Sequence, residues 1–163
     1  MSELVVLVVE DEPEVRDAVV RDLRRRFHAI RVEESEDADD ALAALADAEA
    51  AGDRVGLILA DHRLPGRSGV DLLVALHDDP RTRSIRKVLL TGQANQEDTI
   101  RAVNEARLDH YIAKPWEPDE LIGVAVDQLT RYVIEEGLDP LAFMRELDAP
   151  RLAEAYAEHP HPD

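Results

Sequence analysis

The chain has 163 residues, 45% of them hydrophobic and 34% charged, enough for one domain with a sizeable core and an appendage but too few for two ordinary domains. Its 36 acidic and 19 basic residues give a net charge of −17, which opposes phosphate backbones and anionic lipid surfaces and argues against direct nucleic-acid or membrane binding. No apolar run approaches the ~20 residues of a membrane helix, no basic-then-apolar leader precedes LVVLVV, and cysteine is absent, so a soluble cytoplasmic protein is expected.

Along the chain the hydrophobic period alternates. Leu4–Val9 (LVVLVV) is a continuous apolar run of strand length, and Pro13 then opens a segment in which Val15, Val19, Leu23 and Phe27 recur every four residues, which predicts a helix. A short strand is expected over residues 29–32. A second helical face follows in Ala41, Leu42, Leu45 and Ala48, ending near Gly52, and residues 55–60 form a third, buried strand. Ser68 can cap a helix carrying Val70, Leu73, Leu76 and His77. Residues 87–91 (KVLLT) read as a strand, residues 97–107 as a helix whose apolar face holds Ile100 and Val103, and His110–Ala113 (HYIA) as a short strand. Pro118 opens a last long helix with Leu121, Val124, Ala125, Leu129 and Val133.

Five strands alternating with five helices, several strands apolar throughout, imply an α/β doubly wound parallel sheet covered on both faces. In such sheets ligands bind beyond the carboxyl ends of the strands, where strand order reverses. The residues at those ends are Glu10-Asp11-Glu12 after the first strand, Asp61 after the third, Thr91 after the fourth and Lys114-Pro115 after the fifth. Carboxylates gathered in one crevice repel each other and lose hydration, so the cluster calls for a compensating cation. A hard divalent ion such as Mg2+ suits oxygen ligands. Lys114 adds a fixed ammonium, and the Thr91 hydroxyl can follow a newly arrived anion into the space beside Gly92.

The motifs VVEDEP, LADHRLPGRSG, LLTG and YIAKPW, in that order and spacing, resemble the receiver domain of bacterial two-component response regulators over about residues 3–134. The resemblance implies a flavodoxin-like sheet of strand order 2-1-3-4-5, a signalling domain that is not an enzyme in the ordinary sense, and phosphorylation of Asp61 by a sensor histidine kinase. It assigns the metal to Asp11, Asp61, the backbone carbonyl of Arg63 and Glu10, the last an acid that commonly acts through water. Thr91 matches the switch hydroxyl, Tyr111 the aromatic that changes rotamer with it, Lys114 the lysine that pairs with the acyl phosphate, and Pro115 a proline usually preceded by a cis peptide. Arg63 and Gln93 lie two positions beyond Asp61 and Thr91, where the family varies and where side chains influence the attack of water. The face made by the fourth helix, fifth strand and fifth helix is the family's usual contact surface for a downstream protein or a second copy.

Plainer readings stand beside these. Glu10, Asp11 and Glu12 taken alone could be an acidic helix start, His62 a packed or solvated side chain, and Trp116 a packing residue beneath the fifth helix; His159 and His161 lie in a polar chain end expected to be disordered. A phosphatase of the haloacid-dehalogenase type would need an acid two residues after the nucleophile, where Arg63 stands, and a scaffold acting by binding alone would ordinarily have lost the acids or the lysine. After Gly137, residues 138–163 carry Leu141, Met144, Leu147, Leu152, Ala155 and Tyr156 at roughly helical spacing, interrupted by Pro150. Two short amphipathic helices are expected there, without the length or basic charge of a DNA-reading module. Packing back on the receiver or dimerisation is favoured over service as a linker to an output domain, because an apolar stripe of this size is usually covered.

Overall fold

The computed structural model describes residues 2–92 and 96–158. Gln93, His159 and His161 therefore lie outside the described residues. The strands are β1 (Leu4–Val9), β2 (Arg31–Ser35), β3 (Arg54–Asp61), β4 (Arg86–Thr91) and β5 (His110–Ala113), all parallel, in the order β2-β1-β3-β4-β5. The helices between and after them are α1 (Pro13–Arg26), α2 (Ala38–Ala51), α3 (Gly69–Asp78), α4 (Gln96–Glu105), α5 (Pro118–Glu135) and α6 (Ala149–Glu158). This is the doubly wound order read from the motifs, and its reversal between β1 and β3 places a crevice at their carboxyl ends.

Both faces of the sheet are buried, because successive side chains of a strand point to opposite sides. Val6, Val8, Leu57, Leu59, Val88 and Leu90 pack with α1 and α5 residues such as Leu23 and Leu129. Leu7, Val9, Ile58, Ala60 and Leu89 pack with α2 and α3 residues such as Leu45 and Leu73. Trp116 packs, partly buried, against the first of these cores.

Four local expectations need correction. The second strand spans Arg31–Ser35, not 29–32: residues 33–35 pair with Leu7–Val9, while the amides of His28, Ala29 and Ile30 are bound by the carboxylate of Glu146. Phe27 is buried but lies beyond α1, on extended backbone. Ile100 and Val103 are not a core face; they are 52% and 51% exposed, and the small residues Ala102, and Ala106 just past the helix end, are the buried ones, in the core shared with α3. In the tail, Pro140–Phe143 is a short 3₁₀ turn with Leu141 exposed, and Pro150 lies in the first turn of α6 instead of interrupting it, where its missing N–H costs nothing.

The tail is seated on α1 and α5. Leu147 and Leu152 are buried in the same core as Leu23 and Leu129. Polar contacts frame them: the Asp148 amide donates to Thr130 Oγ1 at 3.1 Å, the Arg26 side chain donates to the Glu146 carbonyl at 3.1 Å, and Arg151 Nη1 pairs with Asp127 Oδ1 at 2.6 Å.

Candidate functional site

Each residue singled out from strand ends is carried there by a rigid element. Asp61 is the last residue of β3 and Thr91 the last of β4, both buried; Glu10 follows β1 and is fully buried; Lys114 follows β5. The sheet hydrogen bonding continues past the strand ends, with the Glu10 amide donating to the Ser35 carbonyl, His62 to Leu90 and Lys114 to Thr91. Arg16, on the first helix, reaches back to the Glu10 carbonyl at 2.9 Å. The Lys114–Pro115 peptide is cis, as the resemblance implied.

The loop after Asp61 explains the two glycines of LPGRSG. Gly66 has φ +77, a left-handed value that favours glycine. At Gly69 the reason is space: a Cβ there would lie 2.1 Å from the Asp61 carbonyl oxygen. The Gly69 amide donates to the His62 carbonyl at 2.9 Å, and Ser68 caps α3 by accepting from the Asp71 amide. The loop is thus folded tightly against the backbone of the acid it follows. Gly92 is different, since among the described residues a Cβ there would meet only Lys114 Cδ, at an ordinary van der Waals distance of 3.8 Å.

Glu10, Asp11 and Asp61 bring carboxylate oxygens to within 4.8 Å of one another. Lys114 Nζ lies 3.1 Å from Asp61 Oδ1 and 3.6 Å from Glu10 Oε1. Neither buried oxygen of Glu10 has a hydrogen-bond partner among the described residues. Burial, and then the neighbouring Asp61, push the Glu10 carboxyl up to about 8 against the opposing pull of Lys114. One ammonium does not balance three acids. Two orphaned buried oxygens beside two further carboxylates fit a hard divalent cation of the Mg2+ type.

A pocket of about 390 Å³ opens at this point, lined by Glu12, Asp61, His62, Arg63, Thr91, Gly92 and Lys114. Arg63 and Thr91 therefore line the same pocket as Asp61. Tyr111 does not line this pocket; it is half exposed on β5. Sequence reasoning missed the role of His62, whose Nε2 lies 3.0 Å from Asp98 Oδ2 on the first turn of α4. No linear signal marks that contact, because 36 residues separate the pair.

The order β2-β1-β3-β4-β5, with acids at the ends of β1 and β3 and a lysine after β5, defines a signalling domain of the receiver type. The chain belongs to the response regulator receiver domain family, whose model matches residues 6–125. It is 38% identical over 133 residues to the hydrogenase transcriptional regulatory protein HoxA of Cupriavidus necator, a match covering 82% of this chain and 25% of that protein. It is 37% identical over 117 residues to the phosphate regulon transcriptional regulatory protein PhoB of Escherichia coli, covering 72% and 48%. The chain thus matches between a quarter and a half of the length of these relatives. Among solved structures, a CheY-like response regulator receiver domain protein from Methanospirillum hungatei superposes with a TM-score of 0.72 at 27% identity, covering 82% of this chain and 99% of that one. Receiver domains are signalling modules of two-component systems that pair with histidine kinases, and no helix among the described residues is long and apolar enough to cross a membrane.

Proposed function

We propose that this receiver accepts a phosphoryl group on Asp61 from the phosphohistidine of a sensor histidine kinase, in a magnesium-dependent reaction. The observation that carries the reading is the buried Asp61 carboxylate at the floor of an open pocket, 3.1 Å from Lys114 and beside two further acids. An oxygen of Asp61 attacks phosphorus in line as the bond to the kinase imidazole breaks, so the imidazole leaves with the electron pair. Transfer of this kind asks the protein chiefly for position and for neutralisation of the equatorial oxygens. The end of β3 supplies position. Lys114 neutralises from one side, and Asp11, Asp61 and the Arg63 carbonyl, with Glu10 acting through water, would hold Mg2+, which when bound would supply the remaining positive charge.

The product carries more negative charge than the carboxylate it replaces, which attracts the Thr91 hydroxyl and the loop that follows. Tyr111, half exposed, follows into the space vacated. The face of α4, β5 and α5, with Ile100, Val103 and Tyr111 exposed, then engages a downstream protein or a second copy in the cytoplasm. Residues 3–134 form the receiver and residues 135–163 its helical tail. No nucleic acid or membrane is contacted directly, given the net charge of −17. The domain assists only its own phosphorylation and dephosphorylation. Incubation with acetyl phosphate, followed by intact mass, tests the reading: one phosphoryl group is gained with Mg2+, and none by Asp61→Asn. A gain by the variant, or none by the parent with Mg2+ bound, refutes it.

A further inference from the structure

The end of the sheet opposite the acidic pocket, where β4 and β5 begin, holds a second cleft of about 540 Å³. It lies between the carboxyl ends of α3, α4 and α5, and five basic residues line it, His77, Arg83, Arg86, Lys87 and Arg107, beside the acids Asp109, Glu135 and Glu136. In a chain of net charge −17 that concentration invites a charge balance.

The acids of this cleft are already paired with Arg86, which also lines it, and with Arg54. Asp109 meets Arg86 Nη2 at 2.9 Å and the Lys87 amide at 2.8 Å, Glu135 meets Arg86 Nη1 at 3.1 Å, and Glu136 meets Arg54 at 3.7 Å. Arg83 uses its Nε on the neutral carbonyl of His77 at 2.8 Å. The Lys87 ammonium is buried and donates to the carbonyls of Arg83 and Ile85 at 3.0 and 2.9 Å, which leaves one of its three hydrogens. Arg107 has no hydrogen bond or ion pair among the described residues. It is held at φ +54, a left-handed value that glycine or asparagine usually fills after a helix.

Three cations thus share one cleft with no carboxylate of their own. Helix carboxyl ends supply about half a negative charge each, a partial offset spread over three helices. His77 is held below its ordinary value by burial and then by Lys87, Arg83 and Arg107, and burial lowers Lys87 to about 8 against the opposing pull of Asp109.

We propose that this cleft is a second ligand site, separate from the Asp61 pocket, that binds a small phosphate-bearing dianion through Arg83, Lys87 and Arg107. Guanidinium groups match phosphate oxygens in pairs, and a tetrahedral anion can accept from donors arriving from separate loops. The volume exceeds what inorganic phosphate needs and leaves room for the alcohol part of a monoester.

The test is a titration of the full chain with inorganic phosphate and, separately, with adenosine monophosphate, followed by amide chemical shifts. Ionic strength is held constant with sodium chloride and EDTA removes divalent ions, so that the acidic pocket repels the probe. Saturating shifts are expected at residues 77, 83–87 and 107–109, roughly tenfold weaker binding in Arg107→Gln and in Arg83→Gln, and near-parental binding in Arg107→Lys. Both arginines are exposed, so the variants fold, and a thermal melt of each verifies this. Tighter binding of the ester than of phosphate assigns the site to a monoester; equal binding assigns it to free phosphate. Shifts that grow linearly without saturating, shifts centred on Thr91 and Lys114, or variants that bind as tightly as the parent overturn the proposal.

Discussion

Glu146 and Ala29 are 117 residues apart in sequence, yet both carboxylate oxygens of Glu146 lie 3.1 Å from the Ala29 amide. The same carboxylate accepts from the amides of His28 at 2.6 Å and Ile30 at 3.2 Å, so one tail side chain satisfies three successive donors between α1 and β2. Buried hydrogen bonds to a charged acceptor are worth about 1.5–3 kcal/mol. Glu146→Ala is therefore expected to lower the unfolding free energy by about 2 kcal/mol and Glu146→Gln by less, measured by urea denaturation. Full stability in the alanine variant would show that the tail contributes nothing through this contact.

Gly69 and Gly92 make opposite predictions. Gly69→Ala must displace the backbone of Asp61, because the added carbon would stand 2.1 Å from its carbonyl oxygen. A fall of roughly tenfold or more in the rate of phosphorylation by acetyl phosphate is expected, since small misplacements of reacting groups are costly. Gly92→Ala, whose added carbon lies 3.8 Å from its nearest neighbour among the described residues, should react within about twofold of the parent. Equal rates for all three proteins would remove close packing of the loop as the reason for Gly69.

The contact of His62 Nε2 with Asp98 Oδ2 ties the residue after Asp61 to the first turn of α4. His62→Ala and Asp98→Ala should each speed hydrogen exchange in α4, and the double variant should be no faster than either alone. Additive effects would mean that the two side chains stabilise the helix independently.

Glu10 gives a stability slope. Its carboxyl is raised from an ordinary 4.5 to about 8, so between those values the unfolded chain has released a proton that the folded chain retains. Stability without divalent ions should therefore fall as pH rises from 4.5 to 8, by at most about 1.4 kcal/mol per pH unit. Glu10→Gln should lack that component, and Mg2+ should reduce the decline by favouring the ionised carboxylate. Parallel pH profiles for parent and variant would exclude Glu10 as its source.

Lys87 acts in the next window with the opposite sign. Burial lowers it from 10.5 to about 8, so between those values the unfolded chain binds the proton that the folded chain has lost, and stability rises with pH. Lys87→Met removes that rise, whatever offset follows from losing the bonds to the Arg83 and Ile85 carbonyls. Chemical denaturation at pH 7.5 and pH 10 of both proteins reads the difference; an unchanged gap between them would show that the ammonium is not desolvated.

The sequence by itself determined the central strands. LVVLVV and LILAD are too apolar to serve any place but the middle of a covered parallel sheet, and the strand-end rule gathers Glu10, Asp11, Asp61, Thr91 and Lys114 from sequence alone. Those residues lie at the carboxyl ends of neighbouring strands, where short-range pattern and topology agree. What only the tertiary structure decided depends on partners distant in the chain. Ile100 and Val103 fit a helical core pattern as well as Ala102 and Ala106 do, and packing into the core shared with α3 made the small pair the buried one. The second strand moved to Arg31–Ser35 because a carboxylate more than a hundred residues away holds the amides before it. Periodicity records how a segment relates to itself, whereas burial and hydrogen-bond partners depend on what the rest of the chain brings against it.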